Sequence, residues 1–473
     1  MPVPHSLFPH KSLWKSAPYM VNDSLFATFP VELRVEIFRQ YCGQFCPIDK
    51  TNHGPLLLMR VSRAWRTLTM QSPQLWSSFA LNIDQPVCPQ SGRRLISLLK
   101  LWIDLSKSTL LSFSLRYPKQ DAFCVGLIQT ILPVSDRWRE VALQTPHAAL
   151  LSFLTTNPDR FPALRSLGVE CAGLPPLQLR NYDLNWAQLS KLDLFLITFP
   201  ALDDCIHILR QGVNLTSCRM HVECALDEQH DLAPIVLPKL RDLQLVLHGI
   251  SRDQPQINAS EAKFYTVLDA LELPGLRSLE LGWNIGGGPY RWPHMEPFIR
   301  FIRRVGANLE RLRLDYLPFD KPELVSILKA VPSLRQLSLS HSRSDHASDY
   351  INDTFFDSLT RFVPLLESLS LNCNGGSFRN STFLRFMESR WRYQPQGRAG
   401  GCLEHVEIIS AKRLAEYIPG RFRDIIEGKL EVRGTLQSKS DMILVLRAYL
   451  KDSYKSCFLR SDLPLRIRSL LVM

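Results

Sequence analysis

Leu309-Glu310-Arg311-Leu312-Arg313-Leu314 and, 25 residues later, Leu334-Arg335-Gln336-Leu337-Ser338-Leu339 share one spacing: apolar, two residues, apolar, one residue, apolar. The closing positions alternate apolar and polar, as a strand with one buried face does. The spacing recurs along the chain as Leu110/Phe113/Leu115, Trp138/Val141/Leu143, Leu164/Leu167/Val169, Leu189/Leu192/Leu194 and Leu215/Cys218/Met220. It continues as Leu240/Leu243/Leu245, Leu276/Leu279/Leu281, Leu366/Leu369/Leu371 and Leu403/Val406/Ile408. Successive starts lie 25 to 37 residues apart.

A period near 26 residues with this internal pattern is the signature of a leucine-rich repeat. One such unit cannot offset its ordering entropy with half a dozen apolar side chains, so units stack and share strand hydrogen bonds. The fold class expected is α/β: parallel strands on one face of an irregular solenoid, helices or irregular segments on the other. Asp203 to Arg210, Phe298 to Arg304, Glu323 to Lys329 and Ala411 to Ile418 are the expected backing helices. Gly249 to Ser260, where Gly, Pro, Asn and Ser collect, reads as an insertion. The asparagine that usually follows the third leucine is clear only as Asn284 and Asn374, which points to variable curvature. All three apolar residues of each unit are expected to face inward. Beyond Gly434 the pattern fades, and Met442 to Leu450 reads as a closing helix.

Composition is that of an ordinary soluble chain: 473 residues, 45% hydrophobic and 21% charged. No apolar run has the length of a membrane span, and Met1 to Ser24 has no apolar core of a secretory signal. Eleven cysteines without regular spacing are expected to be reduced thiols of a cytoplasmic or nuclear protein. The Asn-x-Ser/Thr triplets at Asn214, Asn258, Asn352 and Asn380 are then chance matches. The formal charge of +11 is dispersed and favours acidic protein partners over nucleic acid. Two concentrations stand out, Arg300/Arg303/Arg304 on one helix face and Arg390-Trp391-Arg392-Tyr393. They read as a solvated helix face and a loop rather than as a base-stacking surface.

Toward the N-terminus the pattern changes. Phe29-Pro30-Val31-Glu32-Leu33 is followed by Glu36-Ile37-Phe38, a loop, Pro55-Leu56-Leu57-Leu58, Val61-Ser62-Arg63-Ala64-Trp65-Arg66 and Ser72-Pro73-Gln74-Leu75-Trp76. Pro30 suits a first helical turn and Glu32 the positive end of the helix dipole. Leu33, Ile37 and Tyr41 fall on one helical face, as do Leu57, Val61, Trp65 and Leu68 on the next helix. Pro73 opens a third short segment with Leu75, Trp76 and Phe79. Three short helices cannot bury this much apolar surface among themselves, so a partner is expected to cover part of it.

These residues resemble an F-box, whose usual opening is Leu-Pro-x-Glu-Leu with Ile-Phe after it and Val-Ser-x-x-Trp-Arg downstream. Phe29 stands in place of the usual leucine, and the loop Gly43 to Gly54 is longer than most. The order of motifs is most similar to fungal F-box proteins with C-terminal leucine-rich repeats. The resemblance implies a flexible segment 1–24, an F-box 25–79, a linker helix 80–107, a repeat solenoid 108–434 and a C-terminal cap or tail 435–473. In the linker, Leu95, Leu98, Leu99, Trp102 and Leu105 suit an amphipathic helix.

Signs of chemistry are weak. Gly286-Gly287-Gly288 lacks the Lys-Ser/Thr of a phosphate loop, and no Gly-x-Ser-x-Gly elbow is present. Cys218, His221 and Cys224 have a metal-like spacing, but on a strand His221 points away from the two cysteines. Cys42 and Cys46 read as structural thiols. No catalytic, cofactor-binding or metal-ligating residue is expected, and the chain is read as no enzyme.

The F-box resemblance implies a substrate receptor of a Skp–cullin–F-box ubiquitin ligase that works by proximity. Pro30, Leu33, Ile37, Phe38, Leu57, Val61, Trp65, Leu75 and Trp76 would then bind the Skp-family adaptor, which in turn binds a cullin. A protein target would meet the strand face through Lys191, Asp193, Phe195, Arg219, His221, Arg311, Arg313 and Asp315, whose Arg forks suit an acidic or phosphorylated segment. A solvated face with internal ion pairs, such as Arg313 with Asp315 or Lys191 with Asp193, is the competing reading. The alternative function is a repeat-based interaction scaffold outside a ubiquitin ligase. A nucleic-acid-associated repeat protein comes third.

Overall fold

In the computed structural model, residues 26, 28–146, 161–172, 184–196, 202–223, 233–248, 267–284, 295–317, 320–340, 350–373, 377–391, 403, 405–410, 430–436 and 442–449 are described. The chain divides into two units, Met1–Gly173 and Leu174–Met473.

Three helices open the first unit: α1 (Val31–Cys42), α2 (Gly54–Val61) and α3 (Arg63–Gln71). Pro30 stands at the N-cap of α1, where the missing N–H is no loss. Ser62 ends α2 and caps α3, its Oγ accepting the Trp65 N–H at 3.2 Å. A 3-10 turn, Pro73–Leu75, then delivers the chain into a sheet. Its strands β1 (Cys46–Pro47), β2 (Ser78–Asn82), β3 (Leu111–Arg116), β4 (Trp138–Pro146) and β5 (Ser166–Ala172) are parallel and neighbour one another in that order. Helices α4 (Pro89–Leu105) and α5 (Ala122–Ile131) are the crossovers that parallel pairing demands.

The repeat pattern therefore starts one unit earlier than the leucine count does. Trp76, Phe79 and Leu81 have the repeat spacing, and Phe79 and Leu81 lie in register with Phe113 and Leu115. Large aromatic rings replace leucine at these inward positions. Trp102 of α4 meets Trp76 at 5.1 Å and Phe79 at 6.0 Å between ring centroids, and Phe79 stacks on Phe113 at 5.4 Å. Phe113 meets Trp138 edge-on at 5.1 Å, and Trp138 meets Phe161 at 5.4 Å. One expectation fails here. Leu110 is 45% exposed and the neighbouring Leu111 is buried in its place. A register irregularity between Leu111 and Ser112 shifts the inward position by one residue.

In the second unit, β6 (Lys191–Leu196), β7 (Ser217–Glu223), β9 (Asp242–His248), β11 (Ser278–Asn284), β12 (Arg311–Asp315), β13 (Gln336–Ser340), β14 (Ser368–Cys373) and β15 (His405–Ser410) run parallel in that order. A separate small pair joins β8 (Ile235–Val236) to β10 (Leu271–Glu272). Leu192, Cys218, Leu243, Leu279, Leu312, Leu337, Leu369 and Val406 form one continuous inward row, all buried. This register follows directly from the spacing, since a slip by one residue would turn every leucine to solvent.

Backing helices fill the connections: α6 (Leu202–Gln211), α7 (Glu296–Val305), α8 (Lys321–Ala330), α9 (Asp353–Phe362) and α10 (Asn380–Trp391). The first three cover the expected segments, while α9 and α10 carry no leucine stripe and bury phenylalanines instead. Phe356 packs against Phe355, Phe378, Phe383 and Phe386 at 5.0–5.6 Å. The expected helix Ala411 to Ile418 and the insertion Gly249 to Ser260 lie outside the described residues.

The C-terminal expectation is corrected. Met442–Tyr449 is a strand, β17, not a helix, and it pairs antiparallel with β15 and with β16 (Leu430–Leu436). An apolar, β-branched run beside the open edge of a parallel sheet gains main-chain partners as a strand that it would forgo as a helix.

Candidate functional site

Helix α1 has two faces. Val35 and Phe38 point inward, and Phe38 meets Phe26 at 5.5 Å and Trp65 at 4.7 Å. The opposite face is apolar and exposed: Leu33 is 53%, Ile37 47% and Tyr41 52% exposed, preceded by Phe29 and Val31 at similar values. Burial at i and i+3 on one side leaves i, i+4 and i+8 for solvent on the other. Beside this stripe Glu36 accepts both the Arg39 Nε and Nη2 hydrogens at 2.8 Å and the Gln40 amide at 2.7 Å. Those donors, Arg39 first, lower its pKa to about 2.

The nine residues assigned to adaptor binding divide accordingly. Pro30, Leu33, Ile37 and Val61 are exposed, and Leu57 and Trp65 are half-buried. Phe38, Leu75 and Trp76 lie inside the unit. Trp76 is held there by its indole N–H, which donates to the Thr69 carbonyl at 2.9 Å. Buried in this way, these three present little surface to a partner.

On the second unit the outward strand positions form rows. Asp193, Arg219, Gln244, Glu280, Arg313, Ser338, Ser370 and Glu407 are one such row. Its charges meet each other. Arg219 donates to Asp193 at 3.1 Å, Gln244 to Glu280 at 2.8 Å, and Arg313 to Asp315 at 2.7 Å with Glu280 3.6 Å away. Arg311 reaches across a strand to Asp242 at 2.6 Å. Asp193 thus pairs with Arg219 and not with Lys191, which is exposed. His221 differs from its neighbours in being buried, so it presents no imidazole to solvent. The Phe195 side chain lies outside the described residues.

The arginine clusters serve the architecture. Arg390 donates to the carbonyls of Leu359, Val363 and Pro364 at 2.6–2.8 Å and of Thr360 at 3.3 Å, closing the C-terminus of α9 from α10. Burial lowers the pKa of this guanidinium from its usual value. The residue is therefore on a helix, not in a loop. Arg304 does the same for the carbonyls of Leu268 and Asp269 at 2.7 and 3.0 Å, Arg300 pairs with Asp269 and Arg303 with Glu296. In the first unit Arg137 donates to the Thr109 carbonyl at 3.0 Å, just beyond the end of α4. Helix C-termini leave carbonyls without intrahelical donors, and a guanidinium from the next unit serves several at once. Arg390→Ala is expected to cost about 2 kcal/mol, the scale of hydrogen bonds to a charged group. Arg390→Lys should recover little of it, because one ammonium cannot reach the same fan of carbonyls. Denaturant midpoints of the two variants check this.

No cluster of three or more His, Cys, Asp or Glu among the described residues is arranged to hold a metal ion. Cys218 is buried on β7, and burial pushes its thiol up to about 12. Cys42 rises to about 12 and Cys46 to about 11 for the same reason. Thiols held protonated in this way are poor nucleophiles and poor metal ligands. No helix among the described residues is long and apolar enough to cross a membrane.

No family model and no curated protein matches the chain. Among solved structures it is similar to one described as the crystal structure of the Rad7 and Elc1 complex in yeast, with 12% identity and a TM-score of 0.37. That match covers 71% of this chain and 76% of the other. A likeness at that level carries no argument about role.

Sequence reasoning missed the Trp76/Phe79/Leu81 unit, although its spacing is that of the repeat. It also missed the capping arginines, whose carbonyl partners lie 26 to 36 residues away and leave no local signal.

Proposed function

We propose that this protein is the substrate-recognition subunit of a Skp–cullin–F-box ubiquitin ligase. The observation that carries the reading is the exposed apolar stripe Leu33/Ile37/Tyr41 on a helix that opens with Pro30-Val31-Glu32-Leu33 and packs by Phe38 against Trp65. Exposed aliphatic and aromatic side chains aligned on one helix gain most from a groove that desolvates them. The Skp-family adaptor supplies that groove, and a cullin follows through the adaptor. The stacked repeats of the second unit hold the protein target, and the chain itself performs no chemistry: it raises the target's effective concentration at the transfer site. Its place of action is the cytoplasm or the nucleus.

The experiment is recovery of a Skp-family adaptor and a cullin with the tagged full-length chain. Co-purification of both is the expected result. If neither is recovered while the repeats still retain a protein target, the chain is an interaction scaffold outside the ligase.

A further inference from the structure

The loops leading into β7, β9, β11, β12, β13 and β14 line a groove of about 690 Å³ along the N-terminal edge of the strands. Its floor is a fixed ladder of main-chain bonds. The Arg241 N–H donates to the Thr216 carbonyl at 2.9 Å, Arg277 to Arg241, Glu310 to Arg277 and Arg335 to Glu310, each at 2.8 Å. The residue just before a strand is therefore repeated in space as Thr216, Arg241, Arg277, Glu310, Arg335 and Glu367, three of the six being arginine. Lys239, Arg241, Arg277 and Arg335 face the groove against one carboxylate, Glu310.

Internal pairing does not exhaust these charges. Arg277 meets Glu310 at 3.4 Å and Arg335 meets Glu367, both as exposed pairs that an incoming anion can replace at little cost. Among the described residues Lys239 donates only to the neutral Asn214 side chain, at 2.7 Å. The Arg241 guanidinium has no ion-pair or hydrogen-bond partner among the described residues. The strand face offers the contrast, since Arg219, Arg311 and Arg313 are each met there by a carboxylate.

We propose that this edge groove, and not the strand face, binds an extended acidic segment of a partner protein, its oxyanions (carboxylate or phosphate) taken by Arg241 and Lys239 first. Six loops at the usual strand spacing span about 24 Å, which an extended chain covers in about seven residues. No aromatic side chain among the described residues lines the groove, so unpaired bases find no stacking platform on them. The proposal rests on the reading of the repeats as the target-binding part, but it does not depend on adaptor binding.

The test uses the full-length protein and four labelled probes followed by fluorescence anisotropy at low salt. They are octaglutamate, a peptide alternating phosphoserine with glycine, octaserine, and a single-stranded oligothymidylate. Binding of an acidic peptide but not of octaserine is expected, weakening as salt rises. Binding of both acidic probes shows that carboxylates suffice; binding of the phosphopeptide alone places the ligand among phosphorylated segments. The double variant Lys239→Glu/Arg241→Glu should lose about tenfold or more in affinity, whereas Lys321→Glu at the start of α8, beyond the C-terminal end of β12, should leave it unchanged. Arg241→Gln removes the fork without reversing charge and should lower affinity in the same direction. Adaptor recovery, measured in parallel, should be unaffected in every variant. Failure of the native protein to bind either acidic probe, equal affinity in the double variant, or tighter binding of oligothymidylate than of both peptides would overturn the proposal.

Discussion

Replacing Trp102 by alanine is expected to destabilise the first unit by about 3–5 kcal/mol, the cost of a large aromatic lost from a packed interior. Trp102 is fully buried and stands between Trp76, which follows the three helices, and Phe79 of β2. Its removal opens a cavity at the joint between them. The side chain also carries a cost of its own, because its buried indole N–H has no hydrogen-bond partner among the described residues. Trp102→Phe removes that unsatisfied donor along with part of the ring, so the two effects oppose each other and the net change should stay below about 1.5 kcal/mol. Urea unfolding followed by circular dichroism distinguishes the variants without relying on the tryptophan signal. Equal losses for alanine and phenylalanine would mean that the indole N–H contributes a favourable bond and carries no such cost.

The same joint shows where reading the sequence succeeds and where it stops. Period-2 alternation with a fixed 26-residue recurrence leaves one register available, which is why Leu243, Leu279, Leu312 and Leu337 can be placed inward from spacing alone. Aromatic substitution at the same positions hides the pattern from a search for leucine. Trp76, Phe79 and Leu81 therefore look like the tail of a helical bundle when they also have the repeat spacing and Phe79 and Leu81 pair in the sheet. A fragment ending at Phe79 would separate Trp76 from Trp102 and Phe79 from Phe113, leaving two large rings without their neighbours. Partner choice among surface charges is still harder to read. Which carboxylate an arginine meets depends on strands 26 to 69 residues apart, and so the strand face appears in sequence as a row of available cations when it is nearly neutral. The arginines before the strands look no different in sequence, yet Arg241 meets no carboxylate among the described residues. Met442 to Tyr449 makes the complementary point, since the open edge it pairs with is a property of the fold and not of the segment.

Leu33→Asp/Ile37→Asp is expected to abolish recovery of a Skp-family adaptor while leaving the melting temperature nearly unchanged. Both side chains are about half exposed, so replacing them removes little internal packing. Surface changes of this kind usually alter stability by only about 0.5 kcal/mol. In a complex the same positions would be desolvated, and truncating such a residue can cost 2 kcal/mol or more. A carboxylate buried without a partner adds its own desolvation penalty to that loss. The inward face supplies the control. Phe38→Ala should also reduce adaptor binding, but only together with a loss of stability of about 3–5 kcal/mol, because Phe38 is fully buried against Phe26 and Trp65. The two faces of one helix are thus separable by measuring adaptor recovery and thermal unfolding on the same samples. If the double aspartate variant binds the adaptor as well as the native chain, α1 is not the docking helix. If it unfolds instead, the stripe that looks exposed is covered by the protein's own chain, and the partner must be sought elsewhere.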